Sequence, residues 1–384
     1  MTLIPSQRHL FSVPEEVAYF NCAYYSPQLR ASEEKLIEGV REKNRPWEKT
    51  AQSFFTDPET IRRLSSEIFG GDVDGWAVTP AASYGLSTAA RAIEPTLNTG
   101  DRIVVMAEEF PSNVLPWRAT ARERGAVIDT VPAPADGDWS KAILGRIGPG
   151  VKVVAVAPCH WTTGAYVDLQ PIGEACRREG AVFVIDASQS LGVMPLDLAA
   201  LKPDFLAAVA YKWLLGPYGL ALLYVAEPWR AARPLEESWF GRDNAEDFTA
   251  LAKYSDTYMK GARRFDMGEK AIPTTLPGAI AALEQIKSWG IANIAETLGS
   301  INASIAGHLM TLGFELPPER QRSAHMFGAR VPSKLGGAGA LVAELRRRRI
   351  FISQRGDAVR FAPHVYVDTG DVDRLLTTLT ELVG

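Results

Sequence analysis

The sequence predicts an α/β protein built on a doubly wound sheet, with a smaller α+β domain behind it. Three observations carry that prediction. Seven short β-rich runs alternate with helical patterns between residues 75 and 225. Several of the runs are apolar throughout, as strands buried on both faces of a parallel sheet must be. After about residue 226 the alternation stops, and a polar, aromatic, irregular stretch at 236–260 leads into a different pattern.

The strands are expected at residues 76–79, 102–106, 127–131, 151–157, 182–186, 205–210 and 220–225. Helical segments fall between them at 85–94, 115–124 and 172–179. Right-handed crossovers would place such helices on both faces of the sheet, with the ligand crevice beyond the carboxyl ends of the strands. Beyond the irregular stretch, residues 276–289 carry small and apolar residues at helical spacing. A run with fewer helices and weaker strands (326–331, 350–353, 359–362) is expected to follow. Residues 371–382 close it as an amphipathic helix with Val372, Leu375, Leu376 and Leu379 on one face. The expected division is a large domain of residues 15–260 and a small one of residues 1–14 with 261–384.

The composition narrows the function class. The 384 residues hold 41 Lys and Arg against 45 Asp and Glu, a net charge of −4. Such a chain lacks the basic excess that neutralises phosphates, so no nucleic-acid partner is expected. Its apolar stretches are too short for a membrane span, and its start does not read as a signal peptide, so a cytoplasmic enzyme is expected. Three cysteines, Cys22, Cys159 and Cys176, are too few and too scattered for a disulfide scaffold or a zinc site.

The densest chemistry lies in Ile185-Asp-Ala-Ser-Gln-Ser-Leu-Gly192 and, 26 residues after Asp186, in Tyr211-Lys-Trp-Leu-Leu-Gly-Pro-Tyr-Gly219. Asp186 ends one apolar strand and Lys212 follows the next, so neighbouring strand ends bring an acid and an amine into one pocket. A buried lysine loses part of its basicity and becomes an amine nucleophile toward an aldehyde. An acid opposite a pyridine nitrogen keeps that nitrogen protonated. Together they suit pyridoxal phosphate, with Lys212 as the Schiff-base lysine. Alone, either residue would read as a loop cap or a surface amine. A dehydrogenase on the same sheet type is disfavoured, because no G-x-G-x-x-G loop follows the first strand.

These paired segments resemble the class V aminotransferase family, pyridoxal phosphate enzymes of fold type I, over nearly the whole chain. The resemblance implies a mostly parallel seven-stranded sheet, a homodimer, and an α-amino acid as substrate. It implies that Gln189 bonds the ring oxygen of the cofactor and that Tyr211 reaches its phosphate. Val78-Thr-Pro-Ala-Ala-Ser-Tyr-Gly-Leu86, a strand-to-helix junction, matches the phosphate cradle, with Ala82 and Ser83 where members carry Gly-Thr or Thr-Thr. Glu109-Phe-Pro-Ser-Asn-Val-Leu-Pro-Trp117 places Phe110 where an aromatic ring stacks on the cofactor. In His160-Trp-Thr-Thr-Gly164, His160 is expected near the cofactor and Trp161 on the substrate side, although many members carry Asn at the latter.

Ser238-Trp-Phe-Gly241 is similar to a kynureninase-like segment that approaches the phosphate across the dimer, which would be the task of Trp239. Arg263-Arg-Phe-Asp-Met-Gly268 resembles a family segment whose next residue is Thr; here it is Glu269, so that threonine's role is not carried over. Ala358-Val-Arg-Phe-Ala-Pro-His-Val-Tyr366 matches the segment whose arginine clamps the substrate α-carboxylate, here Arg360. Arg355 and His364 rank behind it. Phe20-Asn-Cys-Ala-Tyr-Tyr-Ser-Pro27 matches the entry strand that lines the substrate pocket, through Asn21 and Tyr24.

The look-alikes within the family are kynureninase, isopenicillin N epimerase and cysteine desulfurase-like proteins. The reaction expected first is transamination. C–S or C–C cleavage, epimerisation, and a non-catalytic regulatory role stay open beside it. A desulfurase of the persulfide-forming kind needs a cysteine in the C-terminal part, and none follows Cys176.

Overall fold

The structure is a computed structural model that describes residues 2–384. Seven strands form the central sheet: β1 (Trp76–Thr79), β2 (Arg102–Met106), β3 (Val127–Val131), β4 (Val151–Val156), β5 (Val182–Asp186), β6 (Phe205–Val209) and β7 (Ala221–Val225). Their spatial order is β1-β7-β6-β5-β4-β2-β3. All neighbours from β3 to β6 pair in parallel, and β7 runs antiparallel to both β6 and β1. The mostly parallel seven-stranded sheet is as expected, with ends moved by one residue at three strands.

Alternation along each strand explains why these runs are apolar throughout. Val104, Val154, Ile185, Leu206 and Leu222 face one core. Ile103, Val153, Val184, Phe205 and Leu223 face the other. The second core is covered by α3 (Ala82–Ile93) and α4 (Leu115–Arg124), through Leu86, Ala89, Ile93, Trp117 and Ala121. On the first face lies α5 (Leu169–Glu179), which buries Ile172 and Cys176. It starts earlier than its apolar spacing suggested because Asp168 caps it, accepting from the amide of Gln170 at 3.1 Å.

Ahead of the sheet come α1 (Arg30–Glu42) and α2 (Ser53–Phe69), which pack on α6 (Leu276–Trp289). The expectation of few helices after residue 290 is corrected. Residues Ile291–Thr311 form a 21-residue helix, α7, and Ala338–Arg347 form α8. The buried face of α7 does have helical spacing (Ile294, Leu298, Ile305, Leu309), but Gly299, Asn302 and Gly307 dilute it. The chain closes with α9 (Thr369–Val383), begun by a capping box between Asp368 and Asp371.

Three short strands, β8 (Phe327–Arg330), β9 (Ser353–Arg355) and β10 (Ala358–Phe361), make an antiparallel sheet in the order β9-β10-β8. The strand expected at 350–353 is split. Ile350–Phe351 instead pairs in parallel with Ala18–Tyr19 near the start of the chain. The N-terminal segment continues along β10, where the Cys22 amide donates to Ala362 O at 2.9 Å.

A buried ion cluster joins α2 to β1. Asp266 Oδ1 accepts from the Val78 amide at 2.9 Å, and its Oδ2 accepts from Arg62 and, at 3.0 Å, from Lys270 Nζ. Among the described residues no helix is long and apolar enough to cross a membrane, and no group of three metal-ligating side chains occurs.

Candidate active site

The carboxyl ends of the parallel strands and the start of α3 surround a cavity of about 210 Å³. Ala82 and Ser83 reach it from the junction after β1, Phe110 from the loop after β2, and Trp161 from the loop after β4. Asp186 and Gln189 come from the end of β5, and Tyr211 and Lys212 from the loop after β6. Eight of the residues singled out in the sequence therefore share one wall system.

Lys212 is 8% exposed, and its Nζ has no hydrogen-bond partner among the described residues. Burial lowers its pKa to about 8, against the pull of Asp186; Arg360 and Arg355 add to the lowering. Its Nζ lies 5.5 Å from the centre of the Phe110 ring and 5.7 Å from that of Tyr211. The loop that carries it is tight. Leu215, buried and not a glycine, takes a left-handed φ of 53°, and its amide closes onto Lys212 O at 3.1 Å. The N-terminal segment braces the same loop: Ser26 donates to Tyr211 O through both its amide and Oγ, at 3.1 Å each. Below the lysine, the Cys22 thiol donates to Lys212 O at 3.7 Å.

Asp186 accepts from the Ser188 amide through Oδ1 at 2.9 Å, and burial pushes its pKa up. Gln189 is held by Trp213, which donates to its Oε1 at 2.8 Å, while its Nε2 donates to Ala23 O at 3.1 Å. One N–H of that amide stays free. The first turn of α3 has no side-chain cap, so its leading amides are open beside Ser83. Tyr211 packs between Tyr25 and Tyr218, with ring centres 5.4 and 4.6 Å away. Phe110 meets Trp161 edge to face at 5.3 Å, and Trp161 Nε1 donates to Glu108 O at 2.7 Å.

Arg360 is fully buried and donates to Trp161 O from Nη1. Its Nε and Nη2 have no partner, and burial together with Arg355 brings its pKa down to about 9. Two N–H groups of a buried fork left bare are costly, and a carboxylate answers both. Asn21 is bridged to Ala362, beside Arg360 on the same segment, and its buried Oδ1 is also bare. Tyr24 is exposed, within electrostatic reach of Arg355.

Five expected residues lie off the cavity wall: Arg360, Asn21 and Tyr24, and also His160 and Trp239. His160 is buried with its ring stacked on Trp139 at 5.1 Å, and its nitrogens engage Ala107 O at 3.3 Å and Thr163 Oγ1 at 3.1 Å. Trp239 stacks on Phe240 at 3.9 Å in a single turn outside this cavity, 38% exposed. Glu269 is exposed and makes no ion pair among the described residues. The Gly268 amide before it donates to Glu236 at 2.6 Å.

Glu109 is among the lining residues not picked out from the sequence. Glu109 is buried beside Asp186; its Oε1 accepts from the Phe110 amide at 2.7 Å and its Oε2 is bare. Burial first, and the Asp186 charge second, push its pKa up to about 8, so it is a neutral acid at pH 7. Its signal was its place right after β2, the position that marked Asp186 and Lys212 on their strands.

These features define the class. The chain matches the family model described as aminotransferase class-V over residues 30–374, and it belongs to that family, whose members are pyridoxal phosphate enzymes. Among its relatives, a probable cysteine desulfurase of Pyrococcus abyssi is 26% identical over 96% of this chain and 95% of its own length. An uncharacterized aminotransferase of Bacillus subtilis is 26% identical over 80% of this chain and 79% of its own. The cystine C–S lyase C-DES, solved with its product cysteine persulfide, superposes with a TM-score of 0.87 at 21% identity, covering 96% of this chain and 98% of that one. The cavity fits the family's cofactor on its own terms. It offers an amine of lowered basicity, an acid at a strand end, open helix amides for a phosphate and an aromatic face.

Proposed function

We propose that the chain is an aminotransferase acting on an α-amino acid as a homodimer, with Lys212, Asp186 and Arg360 as its central residues. The observation that carries the reading is the bare, buried fork of Arg360 in Coulombic range of the uncharged-prone amine of Lys212. When bound, pyridoxal phosphate supplies an aldehyde that condenses with the substrate amine and a ring that withdraws electrons from Cα. Ser83 Oγ and the first amides of α3 bind the phosphate. Asp186 would supply the counter-charge for a protonated ring nitrogen, and Phe110 would offer an aromatic face to the ring. The spare amide N–H of Gln189 would be available to the ring oxygen. Arg360 Nε and Nη2 hold the α-carboxylate, which orients the Cα–H bond. Lys212 Nζ takes the Cα proton and returns it elsewhere. Trp161 and Phe110 exclude water from that transfer. Trp239, exposed here, completes the partner's site in the dimer.

A second reading, elimination at the β-carbon, is supported by the likeness to the cystine C–S lyase C-DES. A persulfide on this protein's own cysteine is not part of it. All three thiols are buried, burial pushes that of Cys159 up to about 12, and no cysteine follows Cys176.

The test is an absorbance titration of the cofactor-loaded protein with a panel of L-amino acids, with 2-oxo acid and ammonia assayed. One equivalent of 2-oxo acid, with turnover only after a second 2-oxo acid is added, means transamination. Catalytic ammonia without an acceptor means elimination. No spectral change with any amino acid sinks both readings. Lys212→Ala should lose all borohydride-fixed cofactor; a label retained elsewhere would reassign the lysine. Sedimentation should give a dimer, and a fully active monomer would remove the cross-subunit role of Trp239.

A further inference from the structure

We infer that the substrate carries a second carboxylate and that Arg355 recognises it. This rests on the proposed function above, in which Arg360 takes the α-carboxylate.

The two arginines share one face of the β9–β10 hairpin. Arg355 is directly opposite Ala358, and Arg360 lies two residues further along the same strand. Such diagonal neighbours have their Cα atoms about 7–8 Å apart. The other residues of the hairpin on that face are the small Ser353 and Ala358. Neither guanidinium has an acidic partner among the described residues. By contrast Arg330, opposite Ala358 on the neighbouring strand, is paired with Asp357 at 3.4 Å.

Arg355 is also held ready. Its guanidinium lies 5.6 Å from the centre of the Trp161 ring, and that ring lines the cavity. Its Nη1 donates to Gln354 O at 2.7 Å, while its buried Nε is bare. A planar cation laid on an aromatic face keeps its remaining N–H edge free for a carboxylate. The charge balance points the same way. Arg360 and Arg355 each weaken the hold of Lys212 on its proton, and Arg355 does the same to Arg360. An amino acid with a neutral side chain answers one guanidinium; a dicarboxylic amino acid answers both.

The experiment uses the cofactor-loaded protein and spectral titration. L-Aspartate, L-glutamate and L-2-aminoadipate are compared with L-alanine and L-norvaline. The best dicarboxylic amino acid should bind at least about tenfold more tightly than the neutral ones. Arg355→Gln should erase that preference and leave the neutral amino acids within about twofold. Arg355→Lys should restore part of it. A second readout needs no turnover: calorimetry should give tighter binding of glutarate than of butyrate, lost in Arg355→Gln. Equal binding of both classes to the unaltered protein overturns the inference while leaving the proposed function standing. So does an Arg355→Gln variant that loses neutral and dicarboxylic amino acids equally, since Arg355 would then serve the α-carboxylate. Silence toward every amino acid overturns the proposed function and the inference with it.

Discussion

Glu109 keeps a proton in the folded protein that an unfolded chain releases near pH 4.5, because its folded pKa is about 8. Between those two values the folded state binds more protons than the unfolded state, so stability falls as pH rises through that window. Below pH 4.5 the effect is absent, since both states hold the proton. Glu109→Gln keeps the shape and removes the titration. Urea unfolding at pH 4, 6 and 8.5 should find the variant gaining on the parent with pH, by about 2–4 kcal/mol at the upper end. A constant difference across the three pH values would mean that Glu109 is ionised in the fold. This residue also marks the limit of sequence reading at this scale. Asp186, Lys212 and Arg360 were legible because each sits in a segment of several matching residues. Glu109 looks like one more acid on a loop, and only burial turns it into a neutral group.

On the proposed reading, substrate binding depends on the loop after β4, which holds Arg360. Gly164 adopts φ +69°, and a Cβ there would meet Met326 O at 2.5 Å and Phe327 Cα at 2.7 Å. The loop is laced to β8 by the Gly328 amide on Thr163 O, and to the segment ahead of β8 by the Ser323 amide on Gly164 O, both at 2.8 Å. The same loop offers Trp161 O to Arg360. Gly164→Ala should therefore part the loop from β8 and shift the clamp. The expected signature is a Tm lower by several degrees and a KM for amino acids raised about tenfold. Cofactor affinity should hardly change, and an unaltered KM would separate the loop from the clamp. At this scale the strands were legible to within one residue, because alternation between two apolar cores leaves unbroken runs. Helix α7 was not, because its glycines and asparagine interrupt a face that burial in the fold nevertheless completes.

Across the whole molecule, Asp266 is the buried charge that joins distant parts, linking Arg62 of α2, the backbone of β1 and Lys270. Those cations hold its carboxyl below the usual range despite burial, so it adds stability at neutral pH that is lost as pH falls through its depressed pKa. Asp266→Asn would leave two buried cations without a counter-charge and should cost about 3–5 kcal/mol at pH 7, measured by denaturant unfolding. A cost below about 1 kcal/mol would show the cluster to be solvated. The pairing of residues 18–22 with 350–362 belongs to this scale too, and no local pattern could announce a match between segments so far apart. It has a consequence in time. As the chain leaves the ribosome, Lys212 and helix α3 are made long before the strand that carries Arg360 exists. On the proposed reading, the residues that would hold the cofactor are therefore made before the residue that would select the substrate.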